Sequence, residues 1–500
     1  MTGRMPAERF ATFPVQNLDG QFVLCRSDAH VPPGWPVQER AGWRLAAHAS
    51  LPVLSLCARD GASVGWMLGW PISGDGVWLE GDVTLAIPAD AGDAEFAASL
   101  YQLGGKFLAV WLPARGGSVW LDAGGTLSCV FSPAHQLVAA TPSLVPYSHG
   151  CEDDTDLLAR TGLMDGTRNP DGLSFSFAFG TTSRRGVERL LPNHALNLDT
   201  WTVRRHWPSA PIAADADPRD VVARVGAIVE RNMRAVASRM PVRLPLTAGH
   251  DSRALLACAR TLLDRIELLT IAFPDGSARM DVTVAEHLAR RQKLVHRTLV
   301  CGPSNVAQLD EWLWRTGACV GSARGWQAMN AYASLPDSRP EISGALGEAA
   351  RASYWKDLRA ANGMPDANTV VRALALPETP DLVLRARAWL DSLPATRPMH
   401  VVDLVLLEQR VGSWSGVVPY GHARALPFRF TPFAHRDAIE SMLRLPDEYK
   451  LAARFPRDLI ASRWPELLAV PFNRYSGFAH YVNRARKHVW RARRALSRSR

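Results

Sequence analysis

The stretch from Arg243 to Leu256 most restricts how this chain can fold, because it passes from an apolar run into a small-residue loop and then into a helical pattern. Leu244, Pro245 and Leu246 form the run, and Thr247, Ala248 and Gly249 form the loop. Ala254, Leu255, Cys258, Ala259 and Leu262 supply the buried stripe of a helix that begins near Asp251 and Ser252. A strand, a tight turn and a helix in that order direct unpaired backbone N–H groups at one point, where the positive end of the helix dipole also favours an anion. Small side chains let a phosphate come close, and Gly249 has access to positive φ. Asp251 would repel a bare phosphate, so its presence fits a phosphate that arrives with a divalent cation, Mg2+ being the natural one.

Elements alternate on either side of this stretch. Asp217-Pro218 has the form of an N-cap and first helical residue, and Val222, Val225, Val229, Met233 and Val236 follow at helical spacing. Ile266 to Phe273 reads as a strand, and Val282, Ala285, Leu288 and Ala289 as a helix face. Val295 to Val300 then reads as a strand, Val306 to Trp314 as a helix, and Glu341 to Ser343 as a last short strand. The alternation predicts a doubly wound parallel α/β sheet, whose ligands lie beyond the carboxyl ends of the strands. At that edge a second glycine-bearing loop, Ser343-Gly344-Ala345-Leu346-Gly347-Glu348, ends in a second acid.

Before this region the pattern differs. Apolar runs such as Phe22 to Cys25, Val64 to Trp70, Phe107 to Leu112, Val119 to Asp122, Cys129 to Phe131 and Leu137 to Ala140 are separated by Gly, Pro and Asp. They predict β-strands with turns. Pro208-Ser209-Ala210-Pro211 marks a boundary, which gives domains at 1–208 and 209–482 and a basic tail at 483–500.

With 500 residues the chain exceeds one ordinary core, in keeping with about two or three domains. Its net charge of +9 is concentrated at the end: no acidic residue follows Glu466, whereas Arg474, Arg484, Arg486, Lys487, Arg491, Arg493, Arg494, Arg498 and Arg500 do. The remainder balances 48 basic against 48 acidic residues, which argues against a nucleic-acid-binding body. Tyr481, Ala485, Val489, Ala492 and Leu496 recur at helical spacing within the tail. That pattern makes a basic amphipathic face for the body, an acidic partner or an anionic membrane surface, with a solvated helix or frayed end as the plain alternative. Seven scattered cysteines, with no close pair, suggest neither a zinc site nor a disulfide framework. No run approaches the ~20 apolar residues of a membrane span, so a cytoplasmic protein is expected.

Thr247-Ala248-Gly249-His250-Asp251-Ser252 resembles the pyrophosphate loop of the asparagine synthetase family, usually Ser-Gly-Gly-x-Asp-Ser, with Thr for Ser and Ala for the first Gly. Taken alone, the hexapeptide serves equally as a strand-to-helix turn with an Asp or Ser N-cap. Ser343 to Glu348 resembles the family's Ser-Gly-x-Gly-x-Asp-Glu loop, and Glu408 to Trp414, Pro427 to Phe433 and Leu445 to Lys450 follow the family's C-terminal order. Gly105 to Val110 with Val119 to Asp122, and Glu188 to Pro208, are similar to the family's first domain and to its interdomain segment. The resemblance implies an N-terminal Ntn-hydrolase-like α+β domain, then a doubly wound PP-loop domain of the adenine nucleotide alpha hydrolase type. In the family the first domain hydrolyses glutamine with an N-terminal cysteine. Met1-Thr2-Gly3 supplies no thiol there, and Cys25, inside an apolar run, reads as core. Nitrogen is therefore expected from ammonia or an amine, with Thr2 a minor alternative nucleophile.

What the resemblance implies for function is an ATP-dependent ligase that joins a carboxylate, small-molecule, peptide or sugar acid, to that nitrogen through an acyl-adenylate, releasing pyrophosphate. Leu246, Thr247, Ala248, Gly249, Asp251 and Ser252 would hold the phosphates of ATP, and Ile271, Ser343 and Gly344 the nucleotide. Asp251 and Glu348 would hold Mg2+, and Lys450 and Arg457 would offset charge on the α-phosphate and leaving pyrophosphate. Each has a plainer role: Ile271 as core, Lys450 and Arg457 as surface charges, and Asp281, the acid that follows the second strand, as a helix N-cap. Two other functions stay open, a non-catalytic nucleotide-binding or scaffold protein, suggested by the altered loop, and an RNA-modifying pyrophosphatase, suggested by the tail alone.

Overall fold

The computed structural model describes residues 6–10, 13–165, 176–303, 305–321, 323–352 and 363–475. The tail from Asn483 to Arg500 and the Met1-Thr2-Gly3 start lie outside them. The described chain is mixed α/β, with sheets of six, seven and five strands.

The six- and seven-stranded sheets come from the region read as strands and turns, and their strands pair antiparallel except for Val53–Cys57 with Asp82–Thr84. In Phe22–Cys25 every residue is buried. Phe22 and Leu24 join a cluster with Leu68, Leu108 and Val110 of the other sheet, while Val23 and Cys25 pack with Val130, Leu137 and Cys151. Both faces are covered, which is why the run is continuous rather than alternating. The helix Asp93–Tyr101 was not anticipated; it buries Phe96, Ala97 and Leu100. It covers the far face of the seven-stranded sheet, where Phe96 stacks on Trp111 at 4.4 Å and meets Trp120 edge-on at 5.4 Å.

All pairs in the five-stranded sheet are parallel, in the order His296–Val300, Ile266–Ala272, Val242–Pro245, Glu341–Ile342 and Arg429–Phe430. Glu341–Ile342 is thus not the last strand, because Arg429–Phe430 adds beyond it. Helices lie on both faces. Leu269 and Leu299 pack with Ala331 of the helix Ala323–Ala333, whereas Leu268 belongs to the cluster holding Val284 and Leu288 of the helix Arg279–Gln292. The long helix Pro218–Arg239 that leads into the sheet is capped as expected, the Asp217 carboxylate accepting from the Arg219 N–H at 2.8 Å.

The chain starts this sheet in its middle, steps outward through Ile266–Ala272 and His296–Val300, then returns to the opposite side of its first strand. Between Val242–Pro245 and Glu341–Ile342 the connections therefore diverge in opposite directions, which opens a crevice at the carboxyl ends of those two strands. The loops at 246–249 and 343–346 both face it.

Contacts tie the antiparallel sheets to the parallel one. Trp70 stacks on Phe428 at 4.2 Å, and Gly104 pairs with His435 in an isolated bridge. Glu408 is a polar hub on a π-helical stretch, Val405–Val411. Its buried carboxylate accepts from Asn193 Nδ2 at 2.8 Å, from two Arg205 nitrogens at 2.6 and 2.9 Å, and from Trp389 Nε1 at 2.6 Å. All seven cysteines are buried. Burial raises the Cys25 thiol, which donates to the Ser27 carbonyl, so Cys25 is a core thiol and not a thiolate nucleophile.

Candidate functional site

The loop after the first parallel strand is pinned from three sides. Leu246 N–H donates to the Leu269 carbonyl at 2.7 Å, and the Leu246 carbonyl accepts from Thr270 Oγ1 at 2.6 Å. Thr270 Oγ1 also lies 2.8 Å from His296 Nε2, which links the loop to the third strand. Asn473 N–H donates to the Ala248 carbonyl at 2.9 Å. The helix that follows is His250–Cys258, with Gly249 as N-cap.

Gly249 corrects one expectation, because its φ of −78° is ordinary extended backbone. What glycine gives there is room: a Cβ would lie 3.3 Å from Thr247 Oγ1. The loop amides also find partners within the protein. Thr247 N–H donates to Ser252 Oγ at 3.1 Å, Gly249 N–H to Thr247 Oγ1 at 3.2 Å, and Ala248 N–H to Asp281 Oδ1 at 3.0 Å. Asp281 corrects a second expectation. The N-cap of its helix is Ala278, and the Asp281 carboxylate reaches across to the loop, where an anion was expected.

The second loop closes against the first. A Cβ on Gly344 would lie 2.7 Å from Asp251 Cβ, so glycine there admits Asp251 this closely, while a Cβ on Gly347 would meet Asp251 Oδ1 at an ordinary 3.5 Å. Leu346 between them holds a φ of 74°, a left-handed conformation that a bulky residue adopts only under constraint. The constraint is visible, since Leu346 is fully buried and its Cδ1 fills the space a side chain on Gly124 would need. Gly344→Ala is accordingly expected to force the two loops apart and to destabilise the fold by about 1–3 kcal/mol. Urea titration of the variant beside the wild type checks this.

Asp251 and Glu348 are brought together by this packing. Burial raises both carboxyls; for Glu348 the neighbouring Asp251 charge adds to the rise, while Arg351 opposes it for both. Arg351 follows Glu348 in the same turn and donates from Nε to Asp251 Oδ1 at 3.3 Å and from Nη2 to Oδ2. Glu348 Oε2 is buried and has no hydrogen-bond partner among the described residues. Two adjacent carboxylates with one orphaned oxygen fit a divalent cation. Among the described residues no group of three or more His, Cys, Asp or Glu could hold a metal alone, but Mg2+ commonly takes one or two carboxylates plus phosphate oxygens.

Further positive charge surrounds the helix start. His250 stacks on Phe472 at 4.3 Å with 13° between the rings, and the guanidinium carbons of Arg253 and Arg457 lie 4.1 and 5.1 Å from the Phe472 centroid. Burial, then Arg351, Arg457 and Arg253, push His250 down to about 4, so it is neutral at pH 7. Arg253 also fastens the segment over the helix by donating to the carbonyls of Leu467, Val470 and Pro471. Arg457 thus lies beside the aromatic ring that stacks on His250 at the helix start. Lys450 is not free in the same way. Its ammonium is buried against the Asp403 carboxylate, and its carbonyl accepts from Ala352 N–H at 3.3 Å in the segment that carries Arg351.

The remaining expected residues lie as follows. Ser343 Oγ accepts from Ala345 N–H at 3.3 Å, shaping the second loop. Ile271, on the second strand, is half-buried and packs beside Leu269, Leu299 and Ala331, a core contact at the edge of the sheet. Arg351, Arg253, Phe472 and Asn473 were not anticipated. For Arg351 a signal existed, a base three residues after Glu348; for the other three none did, because long-range folding alone brings them to the loop.

No protein-family model matches the chain, and no curated protein matches it. Among solved structures, the glutamine-dependent NAD+ synthetase from Acinetobacter baumannii in complex with adenosine diphosphate is similar at 16% identity, over 44% of this chain and 41% of that one, with a TM-score of 0.19. The chain therefore spans well under half the length of that structure, and likeness at this level defines neither fold nor activity.

Proposed function

We propose that the protein is an ATP-dependent ligase of the asparagine synthetase type, which activates a carboxylate as an acyl-adenylate and transfers it to ammonia or an amine. The observation that carries this is the meeting of Asp251 and Glu348 across the switch-point crevice, on two glycine-bearing loops, with Arg351 and Arg457 alongside. In this proposal the nucleotide lies along the loop from Leu246 to Ser252, with Ser343 and Gly344 as the opposite wall. Asp251 and Glu348 would hold Mg2+, which when bound withdraws charge from the phosphates and makes pyrophosphate a better leaving group.

The chain's own groups orient the rest. Thr247 and Ser252, hydrogen-bonded to each other at 2.9 Å, fix the loop floor, and Arg457 offers a cation on the side of the helix start. Opening of the Ala248 to Asp281 hydrogen bond would free one loop amide for a phosphate oxygen. The burial of all seven cysteines supports ammonia or an amine, rather than glutamine hydrolysed by a thiol, as the nitrogen source.

ATP–pyrophosphate exchange with a panel of carboxylic acids tests the proposal, with acid-dependent exchange as the expected result. One feature favours a second function, a nucleotide-binding or scaffold protein of the same fold: the loop amides at Thr247, Ala248 and Gly249 are already satisfied internally. Mg·ATP binding with no exchange for any acid, and no AMP release, would decide for it.

A further inference from the structure

We propose that Arg351 is a built-in counter-ion of Asp251, so that a divalent cation gains this carboxylate only by displacing the guanidinium. This rests on the assignment of Asp251 and Glu348 as the metal-side acids in the proposed function.

The backbone places Arg351 for this role. It directly follows the 3-10 turn Gly347–Ala350, and its N–H donates to the Glu348 carbonyl at 3.1 Å, so residues 348 and 351 share one short, fixed turn. From there the side chain reaches Asp251 with two nitrogens, one on each carboxylate oxygen. Among the described residues Glu348 gains no such contact, and its Oε2 has no hydrogen-bond partner. The arginine therefore satisfies one acid of the pair and leaves the other short of positive charge.

Displacement has a physical route. The side chains of Arg351 and Asp251 are 22% and 24% exposed, so a solvated cation reaches the pair without unfolding. A single guanidinium charge with directional donors satisfies one carboxylate, whereas a doubly charged cation draws oxygens from both acids and from phosphate at once. Metal alone must give up the Arg351 contact for little return. Metal carried by a polyphosphate brings additional oxygens and offers the released guanidinium a new anion, so cation and nucleotide are expected to enter together.

Mn2+, followed by electron paramagnetic resonance of the free ion without nucleotide, provides the test on the full-length wild type, Arg351→Gln, Arg351→Lys and the double variant Arg351→Gln/Asp251→Asn. Arg351→Gln is expected to bind Mn2+ about tenfold tighter than wild type, the order expected for losing a competing charge-assisted contact. Arg351→Lys, which keeps charge without the fork, should fall between them, and the double variant should lose the gain. Equal or weaker Mn2+ binding by folded Arg351→Gln overturns the counter-ion role, as does a gain that survives in the double variant. ATP–pyrophosphate exchange by the wild type separates this from the ligase itself. Exchange with no Mn2+ gain sinks only the counter-ion; a gain with no exchange for any acid sinks only the ligase.

Discussion

Replacing Asp251 or Glu348 by alanine is expected to lower the conversion of ATP to AMP and pyrophosphate by about a hundredfold to a thousandfold, or beyond detection, while leaving the protein folded. In the proposed reaction the loss of a metal ligand would remove several kcal/mol of charge stabilisation where pyrophosphate departs, and each ~1.4 kcal/mol is tenfold in rate. The fold should survive, since Asp251 and its partner Arg351 are each partly exposed and Glu348 carries an oxygen with no hydrogen-bond partner among the described residues. Single-turnover assays at saturating Mg·ATP, beside thermal melts, check both halves of the claim. Wild-type turnover in both folded variants would show that these acids do not hold the reacting phosphates.

The largest stability effect is expected at Glu408, far from that chemistry. Its side chain is 0% exposed, and that of Arg205, the main partner, is 6% exposed, so Glu408→Ala strands a buried cation together with the Asn193 and Trp389 donors. Removing one partner of a buried ion pair costs about 3–5 kcal/mol. The sign with pH follows from the carboxyl. Burial would raise it, but the Arg205 charge and hydrogen bonds outweigh burial and hold it below the ordinary glutamate value of 4.5. Its contribution is thus full above that value and fades as pH falls through the lowered one. Urea titrations at neutral and mildly acidic pH should show the wild type losing stability in acid with a steeper slope than Glu408→Gln, which has no proton to bind. Equal slopes, or a loss under about 1 kcal/mol for Glu408→Ala, would remove Glu408 as the hub between the two regions.

Much of the parallel sheet was legible because its signals are local. Short apolar runs, the Asp217-Pro218 cap and small-residue loops each depend on a few neighbouring residues, and the helix and strands around Thr247 lie where those signals put them. What depends on distant partners was not legible. No local pattern distinguishes Asp281 as a cap of its own helix from Asp281 as the acceptor for Ala248 N–H 33 positions earlier in the sequence. Lys450 in a solvated setting would be a mobile cation; burial with Asp403, 47 positions away, makes it an internal ion pair instead. The π-helical turn at Val405–Val411 has no compositional sign, and the partners of the Glu408 it carries, Arg205 and Asn193, lie about two hundred positions earlier in the sequence. Leu346 is the clearest conflict between local preference and fold: its left-handed backbone suits glycine, and burial against Gly124 holds it there.

Isotope transfer from the substrate acid tests adenylation most directly. Once exchange has identified a competent acid, that acid is labelled with 18O in its carboxylate, the amine or ammonia is supplied, and the products are weighed by mass spectrometry. Attack of the carboxylate on the α-phosphorus forms a bond from a carboxylate oxygen to phosphorus, and the later cleavage of the acyl carbon–oxygen bond leaves that oxygen behind. One labelled oxygen in AMP, with unlabelled pyrophosphate, is the predicted result. Label in inorganic phosphate with ADP as the nucleotide product, or unlabelled AMP, would contradict it.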